Sequence, residues 1–302
     1  MRKRGEITMT ELTENDVISE KTAVALGIFD GLHHGHRAVL SEILSCEAPT
    51  VFTFRTESIK KKHGKSFEYI YSNSRKLELF AEMGIKYVYS PDFDHVKDMS
   101  GEEFVREILV NRMNAELVVC GENFRFGRAA GCGTAELTEF GGKYGFKVKV
   151  IGLDGFSSEK YRSLLREGSV DELRKNNDAY IISAEVTTGN MLGRTNDFPT
   201  INQNFALGQL VPKHGVYRSR TTADGKIYDS VTNVGVKPTV EDNVKPLAET
   251  HILGFSGNLY GSRVQVELCE FVRDEMKFSS IDELKKQIES DVKHILNQTL
   301  NI

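Results

Sequence analysis

The sequence predicts an α/β protein in two parts, a module built on a parallel sheet covered by helices and then a small β-barrel with a terminal helix. Three observations carry this. Between residues 22 and 151 short apolar runs alternate with amphipathic stretches, the pattern of strands and helices that forms a parallel sheet with helices on both faces. From 179 to 272 the segments become short and strand-like, broken by Gly, Asn and Pro, which suits a compact barrel. Ser280 and Glu283 then form a capping-box pair ahead of Leu284, Ile288, Val292 and Ile295, an apolar stripe at helical spacing.

Residues 22–29 read as a buried strand, followed by a helix with Val39, Leu40, Ile43 and Leu44 on one face. A strand over 50–54, a helix through Leu77 and Leu79 and a strand over 85–89 come next. Ser100 and Glu103 form a capping box that opens a further helix, and residues 117–120 and 148–151 supply two more strands. Sites in such sheets lie at the carboxyl ends of the strands. Residues 161–177, rich in Arg, Glu and Lys, read as a helical connector. The boundary is expected near Asn177, so that 1–177 form the first module with its connector and 178–302 the second. Strands of the second are expected over 181–187, 216–220, 228–234, 250–255 and 264–268.

Composition excludes several classes. Hydrophobic residues at 39% and charged residues at 27% argue against disorder and against a fibrous repeat. A formal net charge of -4 gives no general attraction to nucleic acid or anionic lipid. No apolar run approaches a membrane span, and no apolar stretch follows Arg2, Lys3 and Arg4, so a cytoplasmic protein without membrane or nucleic-acid partners is expected. Cys46, Cys120, Cys132 and Cys269 lack paired metal or redox spacing and read as reduced thiols. Assembly into a homo-oligomer stays open.

Gly27-Ile28-Phe29-Asp30-Gly31-Leu32-His33-His34-Gly35-His36 joins the first strand directly to the first helix. Glycines there let backbone approach a phosphate, and the helix start adds unpaired N–H groups and a positive dipole end. His33 and His36 can donate to phosphate oxygens while charge develops at an α-phosphorus, a reaction that needs no covalent nucleophile. Histidine clusters also bind zinc, but no further ligand is spaced to complete such a site. A helix start with incidental histidines is the other alternative. Gly64-Lys65-Ser66 ends like a phosphate-binding loop, yet Ile59 stands where its leading glycine belongs, which points to a solvated loop.

In the second part, Phe198-Pro199 favours extended backbone, so Thr200 and Asn202 project from one side of it at period two. Their hydroxyl and amide oxygens suit a Mg²⁺ that keeps waters and bridges nucleotide phosphates. Pro-Thr-x-Asn is also an ordinary turn. Lys213-His214-Gly215-Val216-Tyr217, Asn233-Val234-Gly235-Val236-Lys237-Pro238-Thr239, Glu249-Thr250-His251, Leu259-Tyr260-Gly261 and Arg273-Asp274-Glu275-Met276-Lys277-Phe278 follow in order.

Together these stretches resemble the bacterial bifunctional riboflavin kinase/FAD synthetase family. The first matches its GxFDGxHxGH signature, Gly121-Glu122-Asn123-Phe124-Arg125-Phe126-Gly127 is similar to its GxDFRFG motif, and Ser157-Ser158-Glu159-Lys160-Tyr161-Arg162 lies where the family has SSTxIR. The later stretches resemble its PTAN, GVY, NxGxxPT, ExH, LYG and RxExKF segments. The resemblance implies a Rossmann-like HxGH nucleotidyltransferase module and a β-barrel riboflavin kinase module. It implies phosphorylation of riboflavin to FMN with ATP, leaving ADP, and adenylylation of FMN to FAD, with Mg²⁺ accompanying ATP.

On the same ground Glu249 is the expected base, with His33 and His36 catalytic in the first module and Thr200 and Asn202 as metal ligands. ATP and its phosphates are expected at Gly27, Phe29, Asp30, Gly31, Gly35, Asn123, Arg125, Gly127, Ser157, Ser158, Arg162, Gly193, Gly215 and Tyr217. Flavin is expected at Phe198, Arg273, Glu275 and Phe278. The chain departs from the family at Asn123, Thr134, Glu159, Asp197 and Ile201, and over residues 53–58. A Glu159 carboxylate in place of the motif's threonine would repel a triphosphate. The competing expectations are a riboflavin kinase whose first module is inactive or regulatory, and a non-catalytic flavin sensor. Retention of Thr200, Asn202 and Glu249 argues against the sensor.

Overall fold

Thr22–Leu26 is buried at every position, and a strand with no wet face belongs inside a sheet covered on both sides. The computed structural model, which describes residues 8–58, 67–152, 155–187, 199–237 and 245–299, places it there. Strands β1 (Thr10–Leu12), β2 (Thr22–Leu26), β3 (Pro49–Phe52), β4 (Tyr87–Tyr89), β5 (Ala115–Gly121) and β6 (Lys147–Ile151) form a six-stranded sheet in the order β1-β4-β3-β2-β5-β6. All of its pairings are parallel. The helices are α1 (His34–Ser41), α2 (Asn73–Met83), a short α3 (Gly101–Phe104) and α4 (Thr134–Tyr144). Val24, Leu26, Phe52, Val118 and Cys120 meet Phe104, Ile108, Leu109 and Leu137 in one apolar cluster.

β1 was not foreseen, because only Leu12 of its three residues is buried. The Ser100–Glu103 capping box forms as expected, but the helix it opens widens to π geometry over Val105–Arg112. There the Met113 N–H donates to the Ile108 carbonyl five residues back. α2 starts on the Ser72 hydroxyl and stops at Gly84 with φ 87°. It buries Arg75, Lys76 and Phe80, whereas Leu77 and Leu79 are half-buried. Arg75 is accommodated by ion pairs to Glu78 and Glu82.

The chain divides into compact units at Met1–Ser158 and Glu159–Ile302. The connector expected to close the first module therefore groups with the second. α5 (Ser158–Glu167) and α6 (Val170–Lys175) bury Tyr161, Leu164, Leu165, Val170 and Leu173. Tyr161 donates its hydroxyl to the Ala179 carbonyl at 2.9 Å, and the Leu165 carbonyl accepts from the Lys213 N–H at 2.8 Å. Arg174 pairs with Glu267.

The second unit holds β7 (Tyr180–Thr187), β8 (Thr200–Asn204), β9 (Gly215–Ala223), β10 (Lys226–Lys237), β11 (Lys245–Ile252) and β12 (Arg263–Arg273), then α7 (Ile281–Thr299). The strands close into a barrel in the order β10-β11-β8-β7-β12-β9. Alternate residues fill its narrow inside, and several are small hydroxyls. Ser219 bonds Thr232 at 2.7 Å, Thr232 bonds Thr250 at 2.9 Å and Thr221 bonds Ser230 at 2.7 Å. All five are fully buried, so mutual bonding is what makes their burial tolerable. In α7 the Glu283 N–H bonds the Ser280 hydroxyl at 3.2 Å, and Ile295 and Val292 pack on Val216 and Val231. Gly64-Lys65-Ser66, Gly193, Phe198 and the side chain of Leu284 lie outside the described residues.

A fragment beginning at Glu159 is expected to unfold cooperatively, and one beginning at Asn177 to be insoluble or to melt far lower. The shorter fragment loses five buried apolar side chains, about 7 kcal/mol or more at ~1.5–3 kcal/mol each, which is comparable to the whole stability of a domain. Thermal melts of the two fragments check this. Equal melting temperatures would show that α5 and α6 contribute nothing to the barrel unit.

Candidate active sites

Leu26 pairs with Phe52 and Cys120, Phe52 with Tyr89, and Gly121 with Ile151. In a parallel sheet these pairings bring the loops after each strand to one edge, where ligands bind in open α/β folds. Gly27 opens the turn there. Phe29, Gly31 and Leu32 adopt left-handed backbone, with φ of 53°, 85° and 42°. For a Phe or a Leu that conformation costs about 1–3 kcal/mol and persists only where the surroundings enforce it.

The enforcing contacts are present. The Asp30 carboxylate accepts from the N–H groups of Ile70 at 2.9 Å and Tyr71 at 3.4 Å, and the Asp30 carbonyl accepts from the Ser158 hydroxyl at 2.9 Å. Arg37 donates to the Leu32 carbonyl at 2.9 Å. Gly31 is required twice, by its φ and because a Cβ would lie 2.7 Å from Ile70 Cδ1. A Cβ on Gly27 would lie 2.9 Å from the Phe29 ring. Asp30 and Ser158 thus shape the turn through bonds to protein groups.

α1 begins at this turn with His33 as its N-cap residue and Gly35 buried in its first turn. His33 and His36 stack at 3.8 Å with 26° between their planes. Phe29 and His36 meet edge to face at 5.4 Å, and Phe156 packs on His33 at 5.5 Å and on His34 at 4.8 Å. The structure therefore brings together Gly27, Phe29, Asp30, Gly31, His33, Gly35, His36 and Ser158. Phe156 was not singled out from sequence, since a lone aromatic before Ser157 and Ser158 carries no periodic signal. Ser157 follows it, exposed.

Lys76 was also missed. It is fully enclosed, and its ammonium donates to the Phe54 carbonyl at 2.8 Å, the Thr53 hydroxyl at 3.1 Å and the Ile28 carbonyl at 3.3 Å. Burial pulls its pKa down to about 8, because a charged amine loses hydration there.

The remaining first-module residues take different roles. Asn123 and Arg125 are exposed after β5, and Arg125 donates to the Ala130 carbonyl at 3.1 Å. A Cβ on Gly127 would lie 2.8 Å from the Gly101 nitrogen, so packing against α3 accounts for that glycine. Arg162 belongs to the second unit and pairs at 3.1 Å with Glu159, which also reaches Arg166 at 3.4 Å. Glu159 is exposed and occupied by arginines.

On the barrel, register decides the site. Asn202 on β8 stands opposite Glu249 on β11, Glu249 opposite Asn233 on β10, and Thr187 on β7 opposite Asn202. Cross-strand neighbours on one face have Cβ atoms about 4.5–5.5 Å apart, and these positions alternate with the inward-facing Gln203, Ala248 and Thr232. Thr200 lies on the same face two residues before Asn202. A hydroxyl oxygen, an amide oxygen and one carboxylate thus share a patch of the barrel's outer face. Asn233 continues it, donating to Glu275 at 3.4 Å. A Cβ on Gly235 would lie 2.1 Å from the Glu275 carboxylate, so the missing side chain makes room for that carboxylate. His214 stands 3.9 Å from it.

Tyr217, expected near ATP, lies instead inside the barrel. It is fully buried and donates its hydroxyl to the Lys213 carbonyl at 2.5 Å, while burial pushes its pKa up. A Cβ on Gly215 would lie 2.4 Å from the Arg273 carbonyl. Arg273, expected at flavin, grips the buried Asp291 of α7 at 2.7 Å and 3.1 Å. Phe278 is half-buried just before α7.

Donors at a helix start in one unit, and hard oxygens beside a carboxylate in the other, equip both for phosphate chemistry. That defines a transferase with two separate centres. The FAD synthetase family model matches residues 15–164 and the riboflavin kinase family model matches 176–299. The bifunctional riboflavin kinase/FMN adenylyltransferase of Haemophilus influenzae is 31% identical over 285 residues, 89% of this chain and 92% of its own length. That of Escherichia coli K12 is 30% identical over 293 residues, 90% of this chain and 91% of its own. A Streptococcus pneumoniae crystal structure titled as a macrolide-efflux protein shares the fold, with a TM-score of 0.80 at 23% identity over 96% of this chain and 99% of that one. The chain belongs to the bifunctional riboflavin kinase/FMN adenylyltransferase family.

Proposed function

We propose that this enzyme phosphorylates riboflavin to FMN at the barrel and adenylylates FMN to FAD at the sheet edge, with ATP as donor in both steps. The observation that carries the kinase reading is the register that sets Glu249 beside Asn202 and Thr200. Phosphoryl transfer demands positioning, charge neutralisation and a carboxylate to take the attacking hydroxyl's proton. Glu249 accepts the proton of the riboflavin 5′-hydroxyl as that oxygen attacks the γ-phosphorus and ADP leaves. The oxygens of Thr200 and Asn202 fit a Mg²⁺ that takes its other ligands from water and phosphate. When bound by Thr200 and Asn202, Mg²⁺ supplies charge neutralisation at the phosphates.

At the sheet edge an FMN phosphate oxygen attacks the α-phosphorus of ATP and pyrophosphate leaves. The stacked pair His33 and His36 donates to the oxygens on which charge accumulates, and the backbone N–H groups at the start of α1 add to it. We place the enzyme in the cytoplasm, where riboflavin and ATP are both available, with no part for nucleic acid. None of the described helices is long and apolar enough to cross a membrane.

Incubation with riboflavin and Mg-ATP, followed by chromatography of the flavins, tests both halves. Glu249→Gln is expected to lower FMN formation at least about a hundredfold while riboflavin still binds, the scale of a lost general base. His36→Ala is expected to abolish FAD formation and leave FMN formation intact. Near wild-type FMN turnover in Glu249→Gln would remove that residue from the base role, and FAD formation by His36→Ala would place the transferase centre elsewhere.

A further inference from the structure

Lys76 lies outside every motif that carried the functional assignment, yet it is the most completely enclosed cation beside the turn that holds His36. Its three oxygen partners match the three protons of an ammonium. Two of them follow β3, and the third is the carbonyl of Ile28, the residue before left-handed Phe29. The same Ile28 carbonyl accepts from the Thr53 hydroxyl at 2.8 Å. Two donors therefore fix the peptide between Ile28 and Phe29. The Phe29 and His36 rings then meet edge to face at 5.4 Å.

We infer that Lys76 is a positioning residue for adenylyl transfer, holding His36 at the helix start through the Ile28 carbonyl and the strained Phe29. The inference rests on the transferase assignment of the first module. Burial sets the protonation range of this cation: its pKa is lowered to about 8 by desolvation, against the raising influence of the carboxylates of Asp30, Glu57 and Glu11. A neutral amine has two protons for three oxygens, so one bond is lost as pH rises through that value. Stability moves the other way. Between pH 8 and the ordinary lysine range of about 10.4 the unfolded chain holds the proton that the folded chain has released, so this group makes folding more favourable as pH rises. A merely structural lysine would not reduce turnover over that interval.

The test measures FAD formation from FMN and Mg-ATP by the full chain against pH, with FMN formation at the barrel as internal control. Wild-type kcat is expected to fall on a limb near pH 8. Lys76→Arg, whose side chain stays charged, is expected to lose that limb. Lys76→Met is expected to lower kcat about tenfold or more, the scale of buried acceptors left unbonded, with a smaller change in KM for ATP and unchanged FMN formation. Should either variant unfold the first unit, Thr53→Val decides, since it removes one of the two donors to Ile28 and leaves the ammonium in place; a lower kcat is expected. Wild-type kcat in Lys76→Met or in Thr53→Val, or a limb near pH 8 that persists in Lys76→Arg, overturns the inference. A wild-type chain that forms no FAD overturns the transferase assignment and this inference with it.

Discussion

The candidate site at the sheet edge depends on a short stretch of left-handed backbone. Phe29, Gly31 and Leu32 turn the chain out of a buried strand and into a helix within a few residues, so that helix N–H groups and two histidines face the same space. Only Gly31 adopts this shape freely. Phe29 and Leu32 are held by side chains that come from elsewhere in the sequence, among them Thr53 and Lys76 on the Ile28 carbonyl. Asp30, bonded to the N–H groups of residues 70 and 71, anchors the turn's centre to a distant loop. Strain and anchors act together, and the energy spent on backbone geometry keeps the two histidines and the helix start in place.

The barrel solves a different problem. A six-stranded barrel is too narrow for large side chains at every inward position, and here hydroxyls bonded to one another occupy part of it. With the inside filled, the polar row of Asn202, Glu249 and Asn233 lines up across three strands on the other face. A shift of one residue in any of these pairings would turn the row inward. The Arg273–Asp291 grip ties the end of β12 to α7. α5 and α6 cover the barrel unit from the N-terminal side of its sequence, and their buried leucines are part of its core.

Most elements of the fold were legible because their apolar periods are strong. β1 was not, being three residues long with one buried side chain. The π-widened stretch after Phe104 looks like an ordinary helix in sequence, since its apolar residues suit either geometry. The polar connector looked like a spacer because its charged residues outnumber the few that it buries, and its partners lie far along the chain, at Lys213 and in β12. For the sites, the Gly-rich turn, His33, His36, Thr200, Asn202 and Glu249 stood out as candidates from residue type and order, and the fold stacks His33 on His36 and sets Asn202 opposite Glu249. Tyr217 was misplaced, because a tyrosine in a strand has equal warrant facing in or out until the parity is known. Arg273 fared similarly, because its partner Asp291 lies on another element.

The sequence by itself determined the two-part architecture and the helix starts at Ser100 and Ser280. Such features depend on local period and side-chain type, which survive without knowledge of distant contacts. Tertiary structure alone decided which buried groups act together. Lys76 sits among solvated-looking residues of an amphipathic helix, and only the approach of Ile28, Thr53 and Phe54 turns it into an enclosed cation. Glu249 and Asn202 are likewise distant in sequence and become neighbours through antiparallel register. In both cases the deciding quantity is the desolvation and pairing of a polar group, and that depends on atoms brought by other segments of the chain.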